Sequence, residues 1–147
     1  MKFIHLSILL LSLCSLMVSC NNDSQAVEDE MLIKTYLMDN NLQAEKTESG
    51  LYYIITIPGN TEHPSSSNNV HISYTGSLLN GNVFDSNPSA NFPLGNLIEG
   101  MKEGISLLGK GGAATFYIPS GLGYGGTAKP GIPANSVLIF EVILIGF

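Results

Sequence analysis

Apolar and polar positions along this chain alternate in two different periods, and the period changes mark its elements. In VEDEMLIKTYLMDNNLQAEK, residues Leu32, Ile33, Tyr36 and Leu37 recur at helical spacing. They predict an amphipathic helix over 27–44, with acids at its positive end and Asn40-Asn41 able to stop it. Its stripe is open to packing on its own domain or on a second copy. After Gly50 the period shortens. LYYIITI reads as a strand ending at Pro58-Gly59, and VHISYTGSLLNGNVFDS alternates with Val70, Ile72 and Tyr74 on one face. Asn80-Gly81 predicts a hairpin, and the stretch from Pro88 to Pro93 a loop. Leu97, Ile98, Met101, Ile105 and Leu108 then share one face of a second helix, with Asn96 as cap, Glu99 three residues on and Gly109 as stop. Two strands, ATFYIP and SVLIFEVILIG, close the chain. One apolar-faced helix set against several antiparallel strands predicts an α+β fold: a sheet wrapped around one short α-helix, with an N-terminal helical extension.

The last two strands are joined by GLGYGGTAKPGIPANS (121–136), whose five glycines and two prolines forbid helix or ladder strand. A hairpin needs only about two to five residues. A connection this long, with Tyr124 inside it, points to function or to disorder.

The front of the chain reads differently. MKFIHLSILLLSLCSLMVSC has a charged start, a short apolar run and small residues before Cys20, which is the layout of a secretory signal. The run is shorter than the roughly 20 apolar residues that span a bilayer. MVSC (17–20) resembles the lipobox of bacterial lipoproteins, in which Cys20 is lipidated and becomes the mature N-terminus. Cysteine usage agrees, since Cys14 leaves with the leader and Cys20 has no partner for a disulfide. The expected division is a signal peptide at 1–19, a tether and helix at 20–49, and a folded domain at 50–147. The expected location is the cell envelope, on the outer membrane, held there by the N-terminal lipid. The whole chain has a formal net charge of −6 and no arginine, and loss of Lys2 makes the mature chain one unit more negative. That balance excludes nucleic acid as a partner and a polybasic hold on anionic lipid.

Classical catalytic groups are scarce. GISLLGKG (104–111) has the letters of a phosphate loop, but Gly111 stands in the required Ser/Thr position and the order is helix before strand. GLGYGG is followed by TAKPGIP, which cannot open a helix. The mature histidines, His63 and His71, have no companion at metal-ligand spacing, and no GxSxG elbow occurs. No metal and no cofactor are expected. What remains is a set of aromatics, Tyr74, Phe84, Phe92 and Phe140, with Asp85 directly after an apolar strand end. Burying that acid without a partner is expensive, so it is either solvated or orients a neighbour.

VHISYTGSLLNGNVFDS, FPLGNLIEGMKEGISLLGKGGAATFYIPSGLGYG and PGIPANSVLIFEVILI resemble consecutive blocks of the FKBP-type peptidyl-prolyl cis-trans isomerases, in the family's order and spacing. The resemblance implies an antiparallel sheet around one short helix and proline-containing polypeptides as substrates. It implies catalytic roles for Tyr74, Asp85, Phe92, Tyr124 and Phe140, and substrate binding by Phe84, Leu97, Ile98, Met101 and Ile132. Met101 stands where the family often has a tryptophan floor, and Ala90 where some members have another aromatic. The implied reaction is rotation about X–Pro, which breaks no bond and needs no nucleophile, metal or proton relay. On this reading the Tyr124 hydroxyl and the Ile132 backbone N–H hold substrate carbonyls, Asp85 orients the pocket edge, and the protein assists folding of exported proteins. The alternative is an FKBP-shaped peptide-binding or chaperone lipoprotein with little turnover. A homodimer through the N-terminal helix is a further possible partnership.

Overall fold

The computed structural model describes residues 19–147. The expected leader therefore lies, up to residue 18, outside the described residues, as does the Cys20 side chain on which the lipid expectation rests. Six strands form one antiparallel sheet: β1 (Glu45–Lys46), β2 (Tyr52–Ile57), β3 (Asn69–Leu78), β4 (Val83–Pro93), β5 (Ala113–Ile118) and β6 (Leu138–Gly146), in the order β1-β2-β5-β6-β3-β4. Two helices flank it, α1 (Ser19–Asp39) and α2 (Glu99–Ser106).

Period-two alternation decides what each face of the sheet meets. Leu51, Val70, Ile72, Phe116, Ile118, Leu138, Val142 and Leu144 point to one side and are buried with Met101, Ile105 and Leu108 of the α2 region. The residues between them face the other way. Tyr52, Tyr117 and Ile139, with Val137, pack on Ile33 and Leu37 of α1. Of the stripe read from the sequence, Ile33 and Leu37, with Tyr36 packed against them, are thus used within the chain's own domain, whereas Leu32 is 44% exposed, and Val27, Met31 and Met38 stay exposed as well. α1 reaches back through the polar NNDSQ run, expected as a tether, and ends at Asn40-Asn41, where Asn41 takes φ 53°. Among the described residues no helix is long and apolar enough to cross a membrane.

Three local expectations are corrected. The Pro88–Pro93 stretch is not a loop but the second half of β4. It is an edge strand, and between its pairs Ile72↔Ala90 and Tyr74↔Asn87 the register slips, so Pro88 sits in a bulge where no ladder N–H is needed. Asn96 does not cap α2. It ends a 3-10 turn (Leu94–Asn96), after which Leu97 and Ile98 are extended, and Ile98 is the cap residue, with no side-chain cap bond. Gly109 is not the helix stop either, because α2 already ends at Ser106. A side chain at Gly109 would run into the Asn60 backbone, so close approach explains that glycine. The expected hairpin is present, with Gly81 at φ 85° donating its N–H to Leu78 O at 2.9 Å. β1 had no sequence signal that could be read, being two residues long.

α2 lies on β5, and the contact is close because two helix positions lack side chains. A Cβ on Gly104 would stand 2.7–2.8 Å from the Phe116 ring, which is fully buried and cannot retreat. On an exposed helix, Gly→Ala stabilises by about 1 kcal/mol. Here overpacking outweighs that gain, and Gly104→Ala is expected to destabilise by about 1–3 kcal/mol. Denaturant unfolding should show a lower midpoint at unchanged slope; an unchanged or higher midpoint would contradict the packing described.

Candidate functional site

α2 covers the β5 side of the concave face, and the β6, β3 and β4 side is lined by rings. The register that aligns Gly76 with Phe140 and Asp85 places Tyr74 two residues up β3 on the same face. Tyr74 lies 6.1 Å between centroids from Phe92 and 6.1 Å from Phe140, both tilted. Phe84 meets Phe140 edge-on at 5.6 Å and 75°. This meeting needs Gly76, because a Cβ there would fall 2.6 Å from the Phe84 ring and 2.9 Å from the Phe140 ring. Phe140 is buried, while Tyr74, Phe84 and Phe92 are only half-buried, so their faces remain open to a ligand. Met101, 4% exposed, is buried in the same cluster as a floor, and Leu97 and Ile98 pack against it half-exposed. Their extended backbone, which displaced the helix start, keeps both at the cleft edge.

Asp85 resolves the choice that the sequence left open. It is exposed and also has a partner: the Tyr74 hydroxyl donates to its Oδ2 at 2.7 Å. Burial pushes the Tyr74 phenol up to about 12, helped by that hydrogen bond, the Asp85 charge and the nearby Tyr124. Tyr74 therefore stays a neutral donor at any physiological pH, and Asp85 stays fixed at the rim as an acceptor.

The long connection between β5 and β6 is ordered rather than slack. It begins with a 3-10 turn (Ser120–Leu122), and Gly125 and Gly131 take φ of 57° and 76°, where a side chain would be strained. Tyr124 and Leu122 pack half-buried on the main core, the Lys129 ammonium stands 5.8 Å from the Tyr124 ring, and Ile132 is buried. One expected contact needs correction. The Ile132 N–H is not free, since it donates to Lys129 O at 2.9 Å in a tight turn, so any substrate carbonyl has to compete with that oxygen.

The ten carried-over side chains thus gather in one place. All lie in or against one and the same apolar cluster, the one that contains α2, apart from Asp85, which is tied to it through Tyr74. Ala90 is buried and aligned with Ile72, filling no part of the opening with a ring. A separate hollow of about 470 Å³ lies beside α2, but Ser49, Ser66, Glu99, Lys102, Glu103, Ser106 and Leu122 line it and none of the cleft aromatics do. Among the described residues no cluster of three or more His, Cys, Asp or Glu is placed to hold a metal. Sequence reasoning missed Gly76, whose only signal was a glycine inside an alternating strand. It also missed Asp29, which is buried beneath the loop's first turn and carried no signal beyond being an acid on a helix.

Residues 60–145 match the family model described as FKBP-type peptidyl-prolyl cis-trans isomerase. A protein of that type, FkpA of Aeromonas hydrophila, is 38% identical over 129 residues, which is 84% of this chain and 48% of that protein. FkpA of Escherichia coli K12 is 39% identical over 105 residues, 68% of this chain and 39% of that protein. This chain therefore spans about half, or less, of the length of these curated relatives. The crystal structure of FkpA from Escherichia coli superposes with a TM-score of 0.73 at 31% identity, covering 87% of this chain and 63% of that one. The crystal structure of AtFKBP13 gives 0.62 at 29% identity, covering 71% and 98%.

The seat of Tyr74 can be checked in solution. Tyr74 and Tyr117 are both held at about 12, in each case chiefly by burial, against an ordinary value of 10.0. Their folded forms resist ionisation, so this part of the stability is complete below about pH 10 and is lost as pH rises toward about 12. Denaturant unfolding across that window should show a steeper decline for the natural chain than for Tyr74→Phe. Identical declines would mean that Tyr74 is solvated.

Proposed function

The chain belongs to the FKBP-type peptidyl-prolyl cis-trans isomerase family, and on that premise we propose that it catalyses rotation about X–Pro bonds in exported polypeptides. The observation that carries the proposal is the open ring-lined cleft with a fixed polar rim: Phe92 and Phe140 each 6.1 Å from Tyr74, and Asp85 held at its edge by Tyr74. Uncatalysed rotation takes tens to hundreds of seconds because the amide C–N bond has partial double-bond character. The planar amide is polar and favoured by water. Twisting it loses that resonance and leaves a less polar carbonyl and a pyramidal nitrogen. A prolyl ring seated on Phe92, Phe140, Ile98 and Met101 gives up its water, which raises the planar form more than the twisted one. Asp85, exposed at the rim with Tyr74 bonded to it, faces the amide with fixed negative charge, and Tyr124 offers a hydroxyl to a neighbouring carbonyl.

The gain is differential binding of the half-rotated amide, without a covalent step. A hundredfold acceleration requires only about 2.7 kcal/mol, within reach of a few well-placed contacts. The second reading is a peptide-binding module with little turnover, and the observation that favours it is Met101. A flexible thioether forms the buried floor, and it fixes a ring less firmly than a rigid aromatic would. Catalysis of a proline-limited refolding reaction separates the two. The natural chain should accelerate it, and Asp85→Val and Phe92→Ala should each lower kcat/KM by about tenfold or more, the equivalent of 1.4 kcal/mol. Natural-chain activity with both variants unchanged would remove these residues from the mechanism; no acceleration by the natural chain would leave binding alone.

The same proposal places the protein at the envelope membrane through a lipid on Cys20. A single acyl chain gives only marginal binding, and stable anchoring takes more than one. Pairing of two copies through α1 would have to use its exposed apolar residues, Val27, Met31, Leu32 and Met38, since Ile33 and Leu37 are already buried in the domain. Mass spectrometry of the mature protein should find a diacylglyceryl group on Cys20, and Cys20→Ser should move the protein from the membrane to the soluble fraction. An unmodified cysteine at the mature N-terminus would rule the anchor out.

A further inference from the structure

Asp29 is an anomaly for a helix that sequence alone treats as an extension. It is 1% exposed, which makes it the one charged side chain in the buried set of the described residues. No lysine lies within ion-pair distance of it among the described residues. Its Oδ2 accepts from the Ser120 backbone N–H at 2.7 Å and from the Ser120 hydroxyl at 2.6 Å, and its Oδ1 accepts from Gln25 Nε2 at 2.9 Å. A buried carboxylate is costly unless it is fully bonded, and bonds to an ionised acceptor are short and about twice as strong as neutral ones. If docking α1 were all that was required, another apolar side chain beside Ile33 would serve. Two bonds from one carboxylate oxygen to the main chain and side chain of a single residue do something else: they fix the orientation of that residue.

Ser120 is the hinge of the cleft loop. Its carbonyl accepts the N–H of Gly123 at 2.9 Å and of Gly125 at 2.8 Å, the two residues that flank Tyr124. Gly125 O in turn accepts from Asn135 N–H at 2.8 Å, tying the outgoing limb to the returning one. The returning limb ends at Val137, which is buried against the cluster containing Ile33 and Leu37 of α1. Between those two points the backbone is permissive: Gly123 has φ −110° and ψ −117°, and Gly125 is at positive φ. Such a loop keeps one shape only if its ends are held.

We infer that α1 is a clamp on the catalytic loop, in which Asp29 is a positioning residue that fixes Tyr124 through Ser120, while Ile33 and Leu37 hold the opposite end at Val137. Asp29 touches no substrate and acts through the turn it holds. The catalytic part of this inference rests on the isomerase reading above, but the clamp itself is a statement about the loop and can be read without turnover.

The test uses the full chain and follows amide hydrogen exchange at Gly123, Gly125 and Asn135, together with kcat/KM in refolding catalysis and the melting temperature. Leu144→Ala is the stability control, since Leu144 is fully buried at the far end of β6, roughly 20 Å along the strand from Leu138. Asp29→Ala should speed exchange at the three loop amides by about tenfold or more, with Ser120→Ala intermediate, because these amides then open locally without global unfolding. Asp29→Asn, which keeps an acceptor oxygen, should restore slow exchange in part. Leu144→Ala should leave the loop amides as slow as in the natural chain despite a lower melting temperature. Where the natural chain is active, kcat/KM should fall in Asp29→Ala beyond the fall in Leu144→Ala. Loop amides unchanged in Ser120→Ala and Asp29→Asn, or accelerated no more than in Leu144→Ala, would reduce Asp29 to a docking contact and overturn the clamp. A natural chain without isomerase activity would defeat the functional reading instead, and the exchange data would still decide the clamp.

Discussion

The structure depends on a mismatch of lengths. α2 has eight residues and extends about 12 Å, whereas β6 has nine and β3 has ten, each about 30 Å long. A helix so short, drawn onto β5 by Gly100 and Gly104, cannot cover the concave face. What it leaves bare must be filled by side chains or left open, and the chain does some of each. Rings from β3, β4 and β6 line the remainder, buried at the base and exposed at the top. The cleft is thus a consequence of incomplete coverage rather than a hole carved into a finished core.

The polar rim of the cleft rests in part on apolar packing. Tyr74 donates to Asp85 while its own ring packs on Phe92 and Phe140, and Gly76 lets Phe84 and Phe140 approach across β3. A reaction without nucleophile or metal needs rigid, dry surfaces and a few fixed dipoles, which is the chemistry this set can provide. The two faces of the sheet cooperate in it. One carries the rings, and the other carries α1, which reaches both ends of the loop that bears Tyr124.

Much of this was legible in the chain because it is carried by periodicity and by blocks in a fixed order. The alternation of Val70, Ile72 and Tyr74 gave the correct face, and the stripe at Ile33 and Leu37 gave the buried side of α1. Where the reading failed, tertiary contacts decided. Asn96 and Glu99 make a plausible capping box, yet the backbone extends at Leu97 and Ile98 because both side chains pack at the cleft edge. Pro88 and Pro93 suggest a loop, yet an edge strand with a bulge accommodates them. The Ile132 N–H looked available because a backbone amide's partner in a loop cannot be read from sequence. Asp29 was invisible for the same reason: its partner is 91 residues away, and nothing local marks an acid that will be buried.

The central claim is that the ring-lined cleft receives proline and makes a half-rotated amide less costly there than in water. Exchange spectroscopy on an X–Pro peptide, with the protein present in small molar proportion, tests that claim without any coupled enzyme or folding reaction. The account predicts magnetisation transfer between the cis and trans proline resonances on a timescale far shorter than the tens to hundreds of seconds of the free peptide. Perturbation of the Tyr74, Phe92 and Phe140 resonances by the peptide, with cis and trans signals that do not exchange, would contradict it.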